Sequence, residues 1–422
     1  MNLEDFLKVY QRGEKFLILN TAIPAWIVTN LNGVLTVKAY VESQSDEKAV
    51  EELGKYVENI PAQSVAKFLE KVRDKGLFKV PAVPFFHKPY TLRAVYLNMT
   101  AHCNLNCIYC FAAERTESNS KLTFDDYKKI LDAVKNYNPH AEIIFTGGEP
   151  LLAELTIPVA EYAKNLGFTN KLMTNATLIT EKNVEKIVGV FDSVKISLDG
   201  STAAKHDFYR GRGSYDKTIK AIELLDKFCA DVSLAMVVTK KNSSDVMAMA
   251  KKWSGRLIFQ PLFPLGNAKE NQDLYLTGNE YFGVLKSAGV VPYMSLHEMI
   301  KRHKASKNIL KCAMGDAEVS ISASGDVYPC QLLHYDIFKV GNIKNSSFDE
   351  IYNSAQMNNF KMHTTDCIEK CRDCDFKLLC GGACQARHFS ETGSIDVAGN
   401  FCEYEKTAIV DGLISAATLH AV

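Results

Sequence analysis

Residues 92–112 read LRAVYLNMTAHCNLNCIYCFA, a strand-like run that ends in Cys103, Cys107 and Cys110 at C-x3-C-x2-C spacing. A thioredoxin-like motif uses two thiols, and structural zinc takes four ligands as C-x2–4-C pairs split by a longer loop, so three cysteines in one loop suit neither well. Three thiolates do suit a four-iron cluster with one iron left free of protein ligands, open to chelate an incoming substrate or cofactor.

Outward from this stretch, strand and helix patterns alternate. LRAVYLNMT is followed by DDYKKILDAVKNY, AEIIFTG by IPVAEYAKNLG, and KLMTN by EKNVEKIVGV. SVKISLDG precedes YDKTIKAIELLDKF, VSLAMVVTK precedes DVMAMAKKW, and RLIFQPLF closes the series. Six strands alternating with helices predict a parallel sheet with right-handed crossovers, either doubly wound or a barrel. The cysteine loop follows the first strand on its carboxyl side, the face that carries ligands in such folds.

The 422 residues exceed one ordinary core, and at about 150 residues per domain two or three domains are expected. With 49 basic against 49 acidic residues there is no net charge to draw nucleic acid or anionic lipid. No apolar run approaches the ~20 residues of a membrane span, and the start MNLEDFLKVYQRGEK is acidic where a signal peptide is basic and then apolar, so a cytoplasmic protein is expected. Twelve cysteines in such a chain point to metal or catalysis rather than disulfides, and eight of them fall after residue 311. Cys229, on an apolar helix face, is expected to be a packed core residue.

Residues 16–40 contain short apolar and β-branched runs around Pro24 and an Asn32-Gly33 turn signal, which predicts strands and a hairpin-like turn. Two helices are expected next, one with Val50, Leu53, Tyr56 and Val57 at helical spacing, the other with Val65, Phe68, Leu69 and Val72, ending near Gly76. A small winged-helix domain over residues 1–80 is the expectation. PAVPFFHKPY, with three prolines in ten residues, reads as a linker over 81–91.

The C-x3-C-x2-C loop after a first strand, with Tyr109 ahead of the third cysteine, resembles the radical S-adenosylmethionine (SAM) superfamily. FTGGEPLL resembles the family segment that holds the amino group of SAM's methionine, which implicates Gly147, Gly148 and Glu149, and glycines there let backbone approach a ligand closely. By the same resemblance Ser197 of KISLDG bonds the SAM ribose or carboxylate, and Arg210 of HDFYRGRGSY pairs with the carboxylate, with Arg212 a close rival. Tyr109 contributes backbone contacts to adenine, and Asn175 of MTNA lines the pocket. Read alone, Asn175 and Ser197 are also ordinary strand-end turn residues.

After Cys312 the order C-x12-G-x4-C, gap, C-x2-C-x5-C-x3-C, gap, C resembles the SPASM domain, which carries two auxiliary four-iron clusters. Two zinc ions are the alternative for the same thiols, since thiolates discriminate softly between zinc and iron–sulfur. The resemblance gives Cys312, Cys330 and Cys384 to the first auxiliary cluster and Cys371, Cys374, Cys380 and Cys402 to the second. The first set lacks a ligand, because the segment upstream of Cys312 has no cysteine; Cys367 is a candidate, and otherwise the site is open to a substrate thiolate.

The expected architecture is α/β: a partial (β/α)6 TIM-type barrel over 92–305, a winged-helix-like domain ahead of it and a cysteine-rich SPASM domain over 306–422. Residues 1–80 resemble the PqqD-like peptide-recognition domain of pyrroloquinoline-quinone biosynthesis. Together the resemblances imply a maturase with three 4Fe-4S clusters and SAM, acting on a ribosomally synthesised precursor peptide with a leader. They imply a 5′-deoxyadenosyl radical that abstracts hydrogen, a thioether or other cross-link as product, and an electron donor such as ferredoxin or flavodoxin. A formylglycine-type sulfatase maturase is the alternative enzyme, and it needs no winged-helix extension. A non-catalytic peptide-binding scaffold is the third reading, and the GGEP and Ser197 segments speak against it.

Overall fold

The structure, a computed structural model, describes residues 3–80, 90–115, 121–290 and 311–417. The expected linker falls almost wholly outside these residues, as does the expected junction near residue 305. Strands β1 (Leu7–Arg12), β2 (Lys15–Asn20) and β3 (Ala25–Thr29) form an antiparallel sheet in that order, and helices α1 (Leu31–Ser43), α2 (Asp46–Gly54) and α3 (Ala62–Asp74) follow.

The Asn32-Gly33 pair makes no hairpin. Asn30 caps α1, its side chain accepting from the Gly33 N–H at 3.0 Å, and Gly33 sits one turn inside the helix, where a Cβ would overlap the Thr29 hydroxyl. Val34, Val37 and Val41 fall at helical spacing and pack with Ile18, Ile27 and Phe68, so tertiary burial overrides their β-branched preference. Three helices therefore stand where two were expected.

Six parallel strands lie side by side in chain order: β4 (Ala94–Asn98), β5 (Glu142–Thr146), β6 (Thr169–Thr174), β7 (Ser193–Ser197), β8 (Val232–Val238) and β9 (Leu257–Pro261). Between them run α4 (Phe124–Tyr137), α5 (Thr156–Asn165), α6 (Val184–Val190), α7 (Ala203–Arg210), α8 (Ser214–Lys227) and α9 (Val246–Lys252). Side chains alternate across each strand. Leu97, Phe145, Leu172, Ile196 and Leu234 join the large buried core, while Tyr96, Glu142, Lys171, Lys195 and Ser197 stand at the alternate positions, on the opposite face. The sheet is thus apolar on one side and polar on the other. Met173, Lys195, Ala235 and Gln260, from four successive strands, line one cavity, so the sheet curls around that polar side.

Beyond β4 the sheet does not stop. β10 (Glu318–Ile321) pairs parallel with β4, Glu318 opposite Ala94, and β11 (Asp326–Tyr328) and β12 (Gly341–Asn342) add antiparallel strands, for nine in all among the described residues. The cysteine-rich region therefore shares a sheet with the barrel. Cys229 departs from expectation: it lies exposed just past α8 with φ 54°, outside any apolar face.

The N-terminal sheet packs Leu17, Leu19 and Val28 against Ile409, Val410 and Leu413 of the C-terminal helix Phe401–Ala416. Tyr10 donates to Asp375 at 2.7 Å and Arg12 pairs with Asp411 at 2.6 Å across the same junction. Among the described residues no helix is long and apolar enough to cross a membrane.

Candidate active site

The cysteine loop leaves β4 and is held at its root by the turn after β5. The Gly148 N–H donates to Thr100 O at 2.8 Å and the Glu149 N–H to His102 O at 2.9 Å. A Cβ on Gly147 would overlap the Thr100 carbonyl and one on Gly148 the His102 carbonyl, and Gly147 has φ 136°. These glycines are required for contact between two backbones, which places the turn directly under the first cysteine. On the other side Asn267 donates to Cys107 O at 3.0 Å through its side chain and to Cys110 O at 3.0 Å through its backbone, and the Asn271 side chain donates to Ile108 O at 2.8 Å. The loop after β9 thus latches the loop after β4.

Cys103, Cys107 and Cys110 all line the cavity, with Gly147, Gly148, Tyr109, Asn175, Ser197 and Arg210. Glu149 is turned away: its carboxylate is fully buried and accepts from Thr174 Oγ1 at 2.7 Å and from the Asn175 N–H at 2.9 Å, so it joins the ends of β5 and β6. Burial raises its pKa and these bonds pull it back. Asn175 Nδ2 is 3.8 Å from Cys103 Sγ, and the Arg210 guanidinium is 3.9 Å from Cys107 Sγ. Arg210 ends α7, whereas Arg212 lies exposed in the following turn.

Asp199, two residues after Ser197, organises this wall. One oxygen accepts from both Arg210 Nε and Tyr109 OH, the other accepts from the Val237 N–H at 2.9 Å, and Arg210 Nη2 donates to Tyr109 OH at 3.0 Å. Its signal in the sequence was the SLDG turn, where only the serine was singled out. Gln331 is a second residue the sequence did not reveal. It lines the cavity beside Cys330, and its Oε1 is buried without a partner among the described residues.

The thiols form three groups. Burial pushes Cys107 up to about 11, Arg210 opposing, with Cys110 and Cys103 acting on it; Cys312 rises to about 12 through burial, then Cys384; Cys371 rises to about 11 through burial, then Cys402 and Cys374. Cys330 is raised well above its ordinary value by burial, then by Glu318, Cys312 and Cys384, and Cys380 by burial, with Cys371 and Cys402 adding to it. Thiols so buried hold thiolate charge only beside a compensating cation. Among the described residues no three His, Cys, Asp or Glu side chains converge on a single metal ion. Cys367 lies exposed on the turn Thr365–Cys367, unlike the seven other cysteines of this region.

Arg115 bridges two of the groups. It donates to Asn98 Oδ1 at 2.6 Å and to the Gln331 carbonyl, and burial pushes it down to about 10 while the Cys110 and Cys330 thiols act in the opposite sense.

Residues 97–252 match the radical SAM superfamily and residues 312–375 the SPASM iron–sulfur cluster-binding domain. Protein MJ0907 of Methanocaldococcus jannaschii is 30% identical over 61% of this chain and 90% of its own length. An AdoMet-dependent heme synthase of Methanosarcina barkeri is 27% identical over 74% of this chain and 96% of its own. Streptococcus suis SuiB bound to precursor peptide SuiA shares the fold, with a TM-score of 0.60 at 15% identity over 94% of this chain and 99% of SuiB, a share that includes the N-terminal domain. The chain belongs to the radical SAM superfamily, and it is an enzyme whose cofactors are SAM and 4Fe-4S clusters, held in a radical SAM core and a SPASM domain.

Proposed function

We propose that this enzyme modifies a ribosomally made precursor peptide, forming a thioether or other cross-link, with the leader held by residues 1–80. The observation that carries the reading is the single cavity running from Cys103, Cys107 and Cys110 to Gln331 and Leu332 beside Cys330. A side chain in that space lies beside the radical-site thiols and reaches the residues that follow Cys330 in the chain.

A cluster and SAM bound here would together supply reductive radical chemistry able to take a hydrogen atom from the substrate. The chain's own residues bind and orient. Cys103, Cys107 and Cys110 would hold the cluster, Gly147 and Gly148 seat the loop, and Asn175, Ser197 and Arg210 would present polar groups to SAM from the ends of β6, β7 and α7. Glu149 and Asp199 fix Asn175 and Arg210 in turn. Phe111, Leu262, Phe263 and Leu332 line the remainder and exclude water. Among the described residues that line the cavity there is no Asp, Glu or His.

Cys312, Cys330 and Cys384 would hold the first auxiliary cluster and Cys371, Cys374, Cys380 and Cys402 the second. With Cys367 left outside it, the first set keeps a place for a substrate thiolate, in keeping with a thioether as product. The N-terminal domain, of the PqqD-like winged-helix kind, offers β1 and β3, each paired on one side only, as edges for a leader added as a further strand. It also separates this reading from the formylglycine alternative. The heme synthase match covers nearly all of that protein yet leaves about a quarter of this chain unmatched, a length comparable to the N-terminal domain. Residues 81–91 would act as linker, 92–305 as radical core and 306–422 as SPASM domain in the cytoplasm, with ferredoxin or flavodoxin as donor. Co-expression with a small peptide encoded nearby, followed by mass spectrometry, should show loss of two hydrogens per cross-link. An unmodified peptide from a strain giving fully loaded enzyme would refute the reading for that peptide.

A further inference from the structure

Lys195 stands mid-strand on β7, on the same face as Ser197 and one side-chain step deeper, about 7 Å further from the mouth at ~3.3 Å per residue. In register it lies between Met173 of β6 and Ser233 of β8, neither of which carries charge. It lines the cavity. The nearby cations are accounted for: Lys171 pairs with Glu142 at 3.0 Å and Arg210 with Asp199. The Lys195 ammonium forms no hydrogen bond or ion pair within the described residues, and no carboxylate among them lines the cavity with it. Burial, and then the Lys171 ammonium, pushes its pKa below the ordinary lysine value. An amine in that state gains by meeting an anion, since an uncompensated buried charge is costly and a charge-assisted hydrogen bond is strong.

We propose that Lys195 is a substrate-binding residue that takes a carboxylate on the cavity floor: an Asp or Glu side chain, or the terminal carboxylate, of the molecule being modified. Gln260 of β9 faces the same cavity and offers an amide for the second carboxylate oxygen. The site would thus choose substrates with an acid near the reacting carbon. SAM's own carboxylate is the other source of this chemistry, and Ser197, Asn175 and Arg210 nearer the thiols are the groups proposed for it.

The inference rests on the proposed peptide substrate, but its test uses no peptide, so the two readings fail separately. Anaerobically reconstituted, SAM-bound wild-type enzyme is treated with limiting acetic anhydride, and Lys195 acetylation is followed by mass spectrometry with glutarate or glutaramide present. Glutarate at tens of millimolar should slow Lys195 labelling by about fivefold or more while glutaramide does not, with surface lysines unchanged in both. In equilibrium dialysis Lys195→Gln should bind SAM within about twofold of wild type. Failure of glutarate to protect, or equal protection by glutaramide, overturns the anion site. Loss of SAM affinity by about tenfold in Lys195→Gln assigns the lysine to SAM's carboxylate and overturns the substrate role. Should glutarate protect while no peptide is ever modified, the site stands and the peptide reading falls.

Discussion

Arg210 and Arg212 differ by two positions in one turn and by their whole environment. Arg210 is buried at the cavity wall with its guanidinium shared among Asp199, Tyr109 and the Cys107 thiol; Arg212 is exposed. Replacing Arg210 by Ala is expected to weaken SAM binding by about 1.5–3 kcal/mol, the worth of a hydrogen bond to a charged group, and Arg212→Ala to be silent. Equilibrium dialysis of SAM against the two reconstituted variants checks this, and the reverse ranking would move the carboxylate contact into the turn. His206 permits a pH test of the same wall. It is fully buried, its Nδ1 accepts the Asp199 N–H at 3.2 Å, and burial, opposed by the Asp199 charge, pushes it down from 6.5 to about 4. A depressed histidine is neutral in the folded state, so its contribution is present above about pH 6.5 and is lost as pH falls toward 4, by at most about 3 kcal/mol. Urea midpoints of the cluster-free protein should fall less steeply across that window in His206→Gln than in wild type. Parallel slopes would show that His206 is not held neutral.

At the scale of elements, sequence pattern succeeded where a segment's period matched its burial and failed where a neighbour decided. The six barrel strands are short β-branched runs with one apolar face, and each is found where its run lies. α7 carries no long apolar stripe in its eight residues, so no helix is predicted there, yet it delivers Arg210. α1 was read as strand because its valines are β-branched, and the Gly33 contact with Thr29 that settles its packing is not visible in the local sequence. β10, β11 and β12 have four, three and two residues, too few for any period, so the joining of barrel and cysteine-rich region in one sheet was hidden. Asp199 acquires meaning only through partners distant in sequence, and Lys195 only through the cavity that it lines. The glycines of GGEP yield an element-scale prediction. Gly148→Ala forces a Cβ into the His102 carbonyl, so the root of the cysteine loop must move and the first site should lose its iron while both auxiliary sites keep theirs. Iron should fall by about four per chain with the auxiliary electron paramagnetic resonance signals retained. Full loading would mean the loop tolerates the shift.

For the whole molecule the position of the N-terminal domain is decisive. A leader-binding module joined by a proline-rich linker would be removable without consequence for the chemistry, and deletion would cost only effective concentration. The structure places the domain otherwise. Leu17, Leu19 and Val28 cover Ile409, Val410 and Leu413 of the helix that begins beside Cys402, and partly buried Cys374 and Cys380 pack into the same cluster. Tyr10 bonds Asp375, the residue after Cys374. Removing residues 1–80 would expose this apolar face, at about 1.5–3 kcal/mol for each large side chain returned to water, a local loss that the helix and the cysteine-bearing turns packed on it are expected not to absorb. Cys371 lies on the one-turn segment Glu369–Arg372, Cys380 on Lys377–Cys380 and Cys402 on the C-terminal helix itself. Deletion should therefore lower the iron bound at Cys371, Cys374, Cys380 and Cys402 as well as peptide capture, while the radical site, held by the barrel, keeps its own. A comparison that separates the two effects pairs the deletion with a proline at Val9 of β1, which is 48% exposed on the free outer strand and away from the buried face. The proline variant should keep all three clusters, and if β1 carries the leader it should lose peptide affinity alone. If the deletion keeps every cluster and full peptide turnover, the domain is neither a support for the second site nor a leader receptor.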